Sequence, residues 1–370
     1  MRFTCTQENL NKGLQTVSHI SGRNASLPIL NNILFKIKDG QIILNATNLE
    51  IGVSCVVRGK VDEPGEFTIQ AKLMTDFISL LPKQNVEVEL KEDSFHINCG
   101  NHQTTIKGVD AQDFPLIPEI NQSKPYIIKT SDLRNGLSQV MFSVTLDDSR
   151  PEISGVLFDF NGQKLTIAGT DSYRLAEKKL SLQATPATEE RKAIIPLRTL
   201  QELHRILLTD EAGEQVEIFL DDNQILFKYG EIELISRLVE GQYPDYQQII
   251  PSDQKTKAII KTSEFLRVVK SASLFCKPGI NDVKLTFLPA SSEVVVSSIN
   301  SAIGENLAKV EAKISGEDNE VVFNYRYLLD GLNNINADEV SLEIVSESAP
   351  GLLKKASDDS YLYIIMPIRQ

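Results

Sequence analysis

The stretch "LPILNNILFKIKDGQIILNATN" (27–48) decides the fold because the chain writes it twice: "RPEISGVLFDFNGQKLTIAGTD" (150–171) aligns with it without a gap, 123 residues further on. Each copy is two β-rich runs around a tight-turn signal, Asp39-Gly40 in the first and Asn161-Gly162 in the second. "VKLTFLPASSEVVVSSIN" (283–300) keeps the two runs and loosens the turn. Upstream of the three copies stand "FTCTQENLNKGLQTV" (3–17), "YIIKTSDLRNGLSQV" (126–140) and "AIIKTSEFLRVVKSA" (258–272). Leu10, Leu14 and Val17 answer to Leu133, Leu137 and Val140 at the same spacing, and Phe265, Val269 and Ala272 repeat it. That is one apolar helix stripe written three times. Thr6, Ser131 and Ser263 are the expected N-caps.

Downstream, "EFTIQAKLMTDFISLL" (66–81), "KAIIPLRTLQELHRIL" (192–207) and "EVVFNYRYLLDGLNNI" (320–335) each read as a strand running into a second helix. Phe114-Pro115, Tyr243-Pro244 and Met366-Pro367 close the units, so the apolar ending "YIIMPIRQ" (363–370) reads as the closing strand of the third. A repeat at this period must be settled first, since it fixes the architecture. The fold class is α+β: three repeated domains at 1–122, 123–252 and 253–370, each strand-rich with two helices. The boundaries fall in the proline-rich, polar stretches "PLIPEINQSKP" and "PDYQQIIPSDQ".

Composition limits the function classes. The 370 residues are 41% hydrophobic and 24% charged, as in globular chains, and no run approaches the length of a membrane span. The N-terminus has no secretory h-region, which leads us to expect a cytoplasmic protein. Cys5, Cys55, Cys99 and Cys276 are scattered without metal-ligand spacing and read as reduced thiols. The formal charge of −12 argues at first against nucleic acid. The acid, however, lies in strands and loops, whereas the six helix segments are neutral to basic. A shared, mildly positive helix face suits sequence-independent contact with phosphates. Lys12, Lys72, Arg134, Arg198, Arg205, Arg267 and Lys270 are the candidates for that lining.

Chemistry is not indicated. There is no phosphate-binding glycine loop, zinc-protease motif or nucleophile elbow. His204 reads as a helix residue packed at a core or interface, and Asp147-Asp148 as a loop. The expectation is a non-enzyme with no cofactor and no metal.

At "GTDSYRLA" (169–176), "YPDYQQIIP" (243–251) and "IIMPIRQ" (364–370), together with the three-copy layout, the chain resembles the bacterial sliding clamps, the beta subunits of DNA polymerase III. The resemblance runs from Met1 to Gln370. It implies a processivity factor: three clamp-type domains form half of a ring, helices inside and sheets outside, and a head-to-tail homodimer encircles duplex DNA. It adds Arg23 and Arg150 to the DNA-facing candidates. The closing surfaces would come from the first and third domains, with Ile106, Leu274 and Phe275 as candidates.

The resemblance further implies a hydrophobic groove for short linear peptides of the replicative polymerase, clamp loader subunits, repair polymerases and mismatch-repair proteins. Carried over by motif, its lining is Ile153, Thr170, Tyr173, Arg174 and Leu175, then Pro244, Gln248 and Ile249, then Asn324 and Tyr327. Ala349, Pro350 and Gly351 form the rim, and the tail Ile364, Ile365, Met366, Pro367, Ile368 and Arg369 completes it. Tyr173, Gln248 and Gln370 stand where many members carry histidine, a basic residue and leucine. The alternative is a three-repeat protein–protein scaffold that never encircles DNA. An enzyme with a site between domains is a third, weaker reading.

Overall fold

The computed structural model describes residues 1–22, 27–147, 149–185, 190–209, 213–251 and 253–369. The backbone forms two compact units, one built mainly from Met1–Ser131 with Arg198–Leu238, the other mainly from Asp132–Leu182 with Val239–Gln370. The middle repeat is thus shared between them, one of its sheets belonging to each unit.

Six α-helices occur among the described residues, two per repeat: α1 (Gln7–Ser18), α2 (Ala71–Leu80), α3 (Thr130–Met141), α4 (Leu197–Thr209), α5 (Thr262–Ser273) and α6 (Tyr325–Asn334). The three repeated stripes lie fully inside: Leu10, Leu14, Val17, Leu133, Leu137, Val140, Phe265, Val269 and Ala272 are all at 0% exposure. Burying nine such side chains is the main term holding α1, α3 and α5 to their sheets, at roughly 25 cal/mol per Å² of apolar area removed from water.

Two local expectations need correction. Thr6 caps α1, its hydroxyl accepting from the Asn9 amide, but Ser131 and Ser263 lie inside their helices. The residues that begin α3 and α5 instead turn their hydroxyls to loops distant in sequence, Thr130 to Gly213 O and Thr262 to Ala337 O. Their amides follow one rule in all three repeats: Gln7, Thr130 and Thr262 donate to Gln84, Glu214 and Asp338. The second correction is at the hairpins. Asp39-Gly40 is the two-residue turn of the first, with φ of 53° and 76°. In the second, Asn161 is still paired with Lys164, so the turn is Gly162-Gln163, with Gly162 at φ 54°.

In the first unit, strands of two repeats join edge to edge into an eight-stranded sheet: Ile232–Arg237 runs antiparallel to Ile51–Val57, with Leu234 opposite Val53. The second unit repeats the junction, Asp358–Ile365 against Arg174–Ser181 with Tyr363 opposite Ala176. Val53 and Ala176 are again 123 residues apart, so both junctions use one register.

Counting along the third copy puts Asn306, opposite Ser298, in the place of Val53, and Thr104, opposite Ile97, in the place of Leu234. Here nothing is joined. Among the described residues, His102–Lys107 pairs only with Ser94–Cys99, and 304–311 only with Glu293–Asn300.

The chain's last strand, Asp358–Ile365, ends before Met366-Pro367, so the strand expected at the tail stops at Ile365. The four cysteines are buried and form no disulfide. No helix among the described residues is long and apolar enough to cross a membrane.

Candidate functional site

The second unit brings most of the groove candidates together, beginning with a self-locked turn at 170–174. The Thr170 hydroxyl donates to Arg174 O at 2.7 Å and accepts from the Ser172 amide. Asp171 Oδ1 accepts from the Tyr173 and Arg174 amides, both at 3.0 Å, and Ser172 takes φ 77°. With its backbone fixed, the turn holds Tyr173 outward at 63% exposure and Leu175 inward at 1%.

Arg174 is the hub. Its guanidinium pairs with Asp171 and Asp330 and lies over the Tyr327 ring at 4.7 Å and the Phe142 ring at 5.6 Å. Burial works against its charge, but Tyr363, Asp330 and Asp171 more than offset it, so the group stays protonated. The Tyr173 and Tyr327 rings stack at 6.4 Å. Gly331 on α6 leaves room for Tyr363, whose ring a Cβ at that position would strike, and the Tyr363 hydroxyl donates to Tyr327 O at 3.0 Å.

The tail is pinned alongside. Arg174 pairs with Ile365 in the sheet, Met366 N donates to Tyr173 O at 2.9 Å, and Ile368 N donates to Val322 O at 2.8 Å. Ile364 and Ile365 are wholly buried, whereas Met366, Pro367 and Ile368 are half-buried and Arg369 is exposed. Two backbone hydrogen bonds therefore hold an apolar segment in place without covering it.

The floor is a cluster of Leu175, Ile364, Leu352, Leu362, Tyr243 and Tyr246 with their neighbours. The Tyr243 hydroxyl donates to Ala168 O at 3.2 Å and that of Tyr246 to Glu177 at 2.6 Å. Pro244 is half-buried between these tyrosines. Gln248, tied to Asp245, and Ile249, 40% exposed, follow on the short helical turn Tyr246–Ile249. Asn324 caps α6 through the Arg326 amide. Gly351 pairs with Ile365, after the half-buried Ala349 and Pro350. Ile153 is buried on the turn Pro151–Ile153.

Sequence reasoning missed Phe142, Asp330 and Tyr363. None of the three lies on the periodic stripe of its element, Phe142 standing two residues past Val140, so the spacing that marks the core gave no signal for them.

Of the basic candidates, Lys12 on α1, Lys72 on α2, Arg198 on α4, and Arg267 and Lys270 on α5 are exposed, and Arg134 on α3 is half-buried. Lys72 pairs with Asp76, and Arg150 with Glu152 and the Ser172 hydroxyl. Arg205 differs: its guanidinium is taken up by Glu202 and by Thr16 O at 2.7 Å. Arg23 lies outside the described residues. Ile106 is buried in its own sheet, Phe275 is half-buried and Leu274 is 74% exposed.

Known proteins match this chain along its whole length. Family models of the DNA polymerase III beta subunit match in order: the N-terminal domain at residues 1–118, the central domain at 127–245 and the C-terminal domain at 247–369. The chain is 30% identical to the beta sliding clamp of Bacillus subtilis and 32% identical to that of Staphylococcus aureus, covering 100% of this chain and 100% and 99% of theirs. Among solved structures, the DNA polymerase III subunit beta from Pseudomonas aeruginosa superposes with a TM-score of 0.95 at 28% identity, over 100% of both chains. The sliding clamp from B. subtilis does so at 0.94 and 29%, over 100% of this chain and 99% of that one.

The fold and its repeats define a DNA polymerase processivity clamp. The chain belongs to the beta sliding clamp family, the beta subunits of DNA polymerase III. Its partners are accordingly DNA and a DNA polymerase.

Proposed function

We propose that two copies of this chain close head to tail into a cytoplasmic ring around duplex DNA, helices inside and sheets outside. The ring catalyses no reaction and holds partner proteins by short peptides. Three domains with boundaries at 1–122, 123–252 and 253–370 supply half of it. Encirclement replaces affinity: each helix–phosphate contact is weak and exchanges quickly, while the closed ring prevents sideways loss.

One observation carries the closure. The chain makes the same strand junction twice and leaves its two outer halves unjoined. Continuing the register puts Thr104 of one copy opposite Asn306 of the next. Asn306 Oδ1 is buried without a partner, and the Thr104 hydroxyl would supply its donor. The apolar surface agrees. Leu274 occupies the place of Phe142, which packs on Tyr363 at 5.3 Å, and Ile303 that of Tyr173, which stacks on Tyr327. Leu274 and Ile303 are 74% and 61% exposed, as is Leu73, in the place of Tyr327, at 48%. A heterologous contact of this kind closes a ring and hides both edges.

The groove reading rests on the pinned tail. An extended peptide lying along Met366–Ile368, with apolar anchors beside Tyr173, Tyr327 and Leu175, buries them against a wall that is already ordered.

The test is a cross-link in register. Gln103→Cys with Leu307→Cys, opposite each other across the proposed junction, should oxidise to a covalently closed dimer, since directly opposed strand residues meet disulfide geometry. Gln103→Cys with Glu305→Cys, two residues out of register, should not. Cross-linking of the second pair and not the first would overturn the junction.

A further inference from the structure

We infer that the first unit holds a second ligand site, a cleft for a phenol-bearing ligand on the outer face of its eight-stranded sheet. The cleft has a volume of about 870 Å³, the size of a small-molecule site, and lies beneath the segment 110–122. It is the counterpart of the tyrosine-filled floor of the second unit. Leu34, Gly52, Leu226 and Ile235 stand where that floor has Leu157, Leu175, Leu352 and Ile364.

The two places differ in what fills them. In the second unit, Tyr243 and Tyr246 bring two rings and two hydroxyls, bonded to Ala168 O and to the Glu177 carboxylate. The residues 123 positions before Ala168 and Glu177 are Asn45 and Ser54, and both line the cleft. The segment above them carries Phe114 and Ile117 in place of the two tyrosines, so no phenol reaches in. Asn45 is only 9% exposed, and it lines the cleft beside Ser54. The cleft thus offers a polar pair, Asn45 and Ser54, at the place where the second unit receives its two hydroxyls, and a group entering between them keeps its hydrogen bonds only if it carries a hydroxyl of its own. A phenol ring fills the missing volume, its hydroxyl donating to Asn45 Oδ1 and accepting from the Asn45 amide or the Ser54 hydroxyl. The inference stands on the first unit alone and does not rest on ring closure.

The test is methyl NMR of the isoleucine-labelled full chain, titrated with p-cresol, with toluene, and with a peptide of the form Tyr-x-x-Tyr. p-Cresol should shift the Ile235 and Ile120 methyls with a dissociation constant on the order of 1 mM. Toluene, which lacks the hydroxyl, should bind at least about fivefold more weakly. Ile117→Tyr restores the absent ring, so it should keep the fold and abolish binding. Ser54→Ala and Asn45→Leu should weaken p-cresol and leave toluene unchanged or tighter. Tighter binding of the peptide than of p-cresol assigns the phenol to a partner's tyrosines; binding of p-cresol alone assigns it to a small aromatic. No shift of these methyls, equal binding of toluene, or unaltered binding by Ile117→Tyr would overturn the proposal.

Discussion

The phenol ring of Tyr173 lies 6.4 Å from that of Tyr327, the two planes inclined by only 19°. The first ring stands on a locked turn and the second on a helix, so the pair forms a preordered aromatic wall. Our account predicts that Tyr173→Ala lowers affinity for an extended peptide with apolar anchors by about fivefold, matching the roughly 1 kcal/mol an aromatic contact adds. Because Tyr173 is 63% exposed, the melting temperature should hardly move. Fluorescence polarisation with a labelled polymerase peptide, alongside a melt, separates the two effects. Unchanged affinity would remove Tyr173 from the groove.

Arg174 should behave in the opposite way. Its guanidinium joins Asp171, Asp330 and two rings, so Arg174→Ala strands the partly buried Asp171 and is expected to destabilise by about 3 kcal/mol. Arg174→Lys recovers less than half of that, since an ammonium cannot reproduce the forked contact. Denaturant unfolding of the second-unit transition measures both.

Leu274→Asp or Ile303→Asp places a charge on an exposed apolar side chain that ring closure would bury. The dimer dissociation constant should rise by at least a hundredfold, since each large apolar side chain adds about 2 kcal/mol and a buried unpaired charge costs more. Monomer stability should stay within about 0.5 kcal/mol, as for other surface changes. Sedimentation across a dilution series reads the first, and chemical denaturation the second.

The basic side chains should separate into two kinds. Lys12→Ala, Arg198→Ala, Arg267→Ala and Lys270→Ala should each reduce the salt dependence of DNA contact by somewhat less than one unit of slope, about 0.9 per phosphate lost. Arg205→Ala, which removes a bond to Thr16 O and the partner of Glu202, should instead destabilise the first unit and leave the slope nearly unchanged.

Cys5 gives the pH prediction. Burial pushes its thiol up to about 12 from an ordinary value near 9.0. The folded state thus favours the neutral thiol, and this contribution is complete below pH 9. It is lost as pH rises toward 12, where the unfolded chain has already released its proton. Cys5→Ser should flatten the alkaline loss of stability, and the folded wild-type chain should react with thiol reagents only on unfolding.

Much of this molecule is legible in one dimension, and the illegible parts share a cause. The stripe of Leu133, Leu137 and Val140 can be read because a helix face is written at short spacing. The turn at Asp39-Gly40 is equally local, and the turn at Gly162-Gln163 shows the limit, since Gly162 makes a turn signal with either neighbour. Helix starts at Thr130 and Thr262 were misplaced because their partners, Gly213 and Ala337, lie on distant loops. Tyr173, Arg174 and the tail are singled out by motif. Asp330, 156 residues from Arg174, is not, because an ion pair across two domains leaves no periodic trace. The junction register belongs to the same class: it emerges only when Leu234 is seen opposite Val53 and Tyr363 opposite Ala176.

The most direct test of the central claim is retention on DNA of different topology. The chain, placed on nicked circular duplex by a clamp loader, is followed by gel filtration in salt high enough to screen phosphate contacts, before and after a single restriction cut. The account predicts that the protein stays with the circle and is lost when the DNA is linearised. Loss from the circle at the same rate as from the linear form would contradict encirclement and leave a scaffold that only touches DNA.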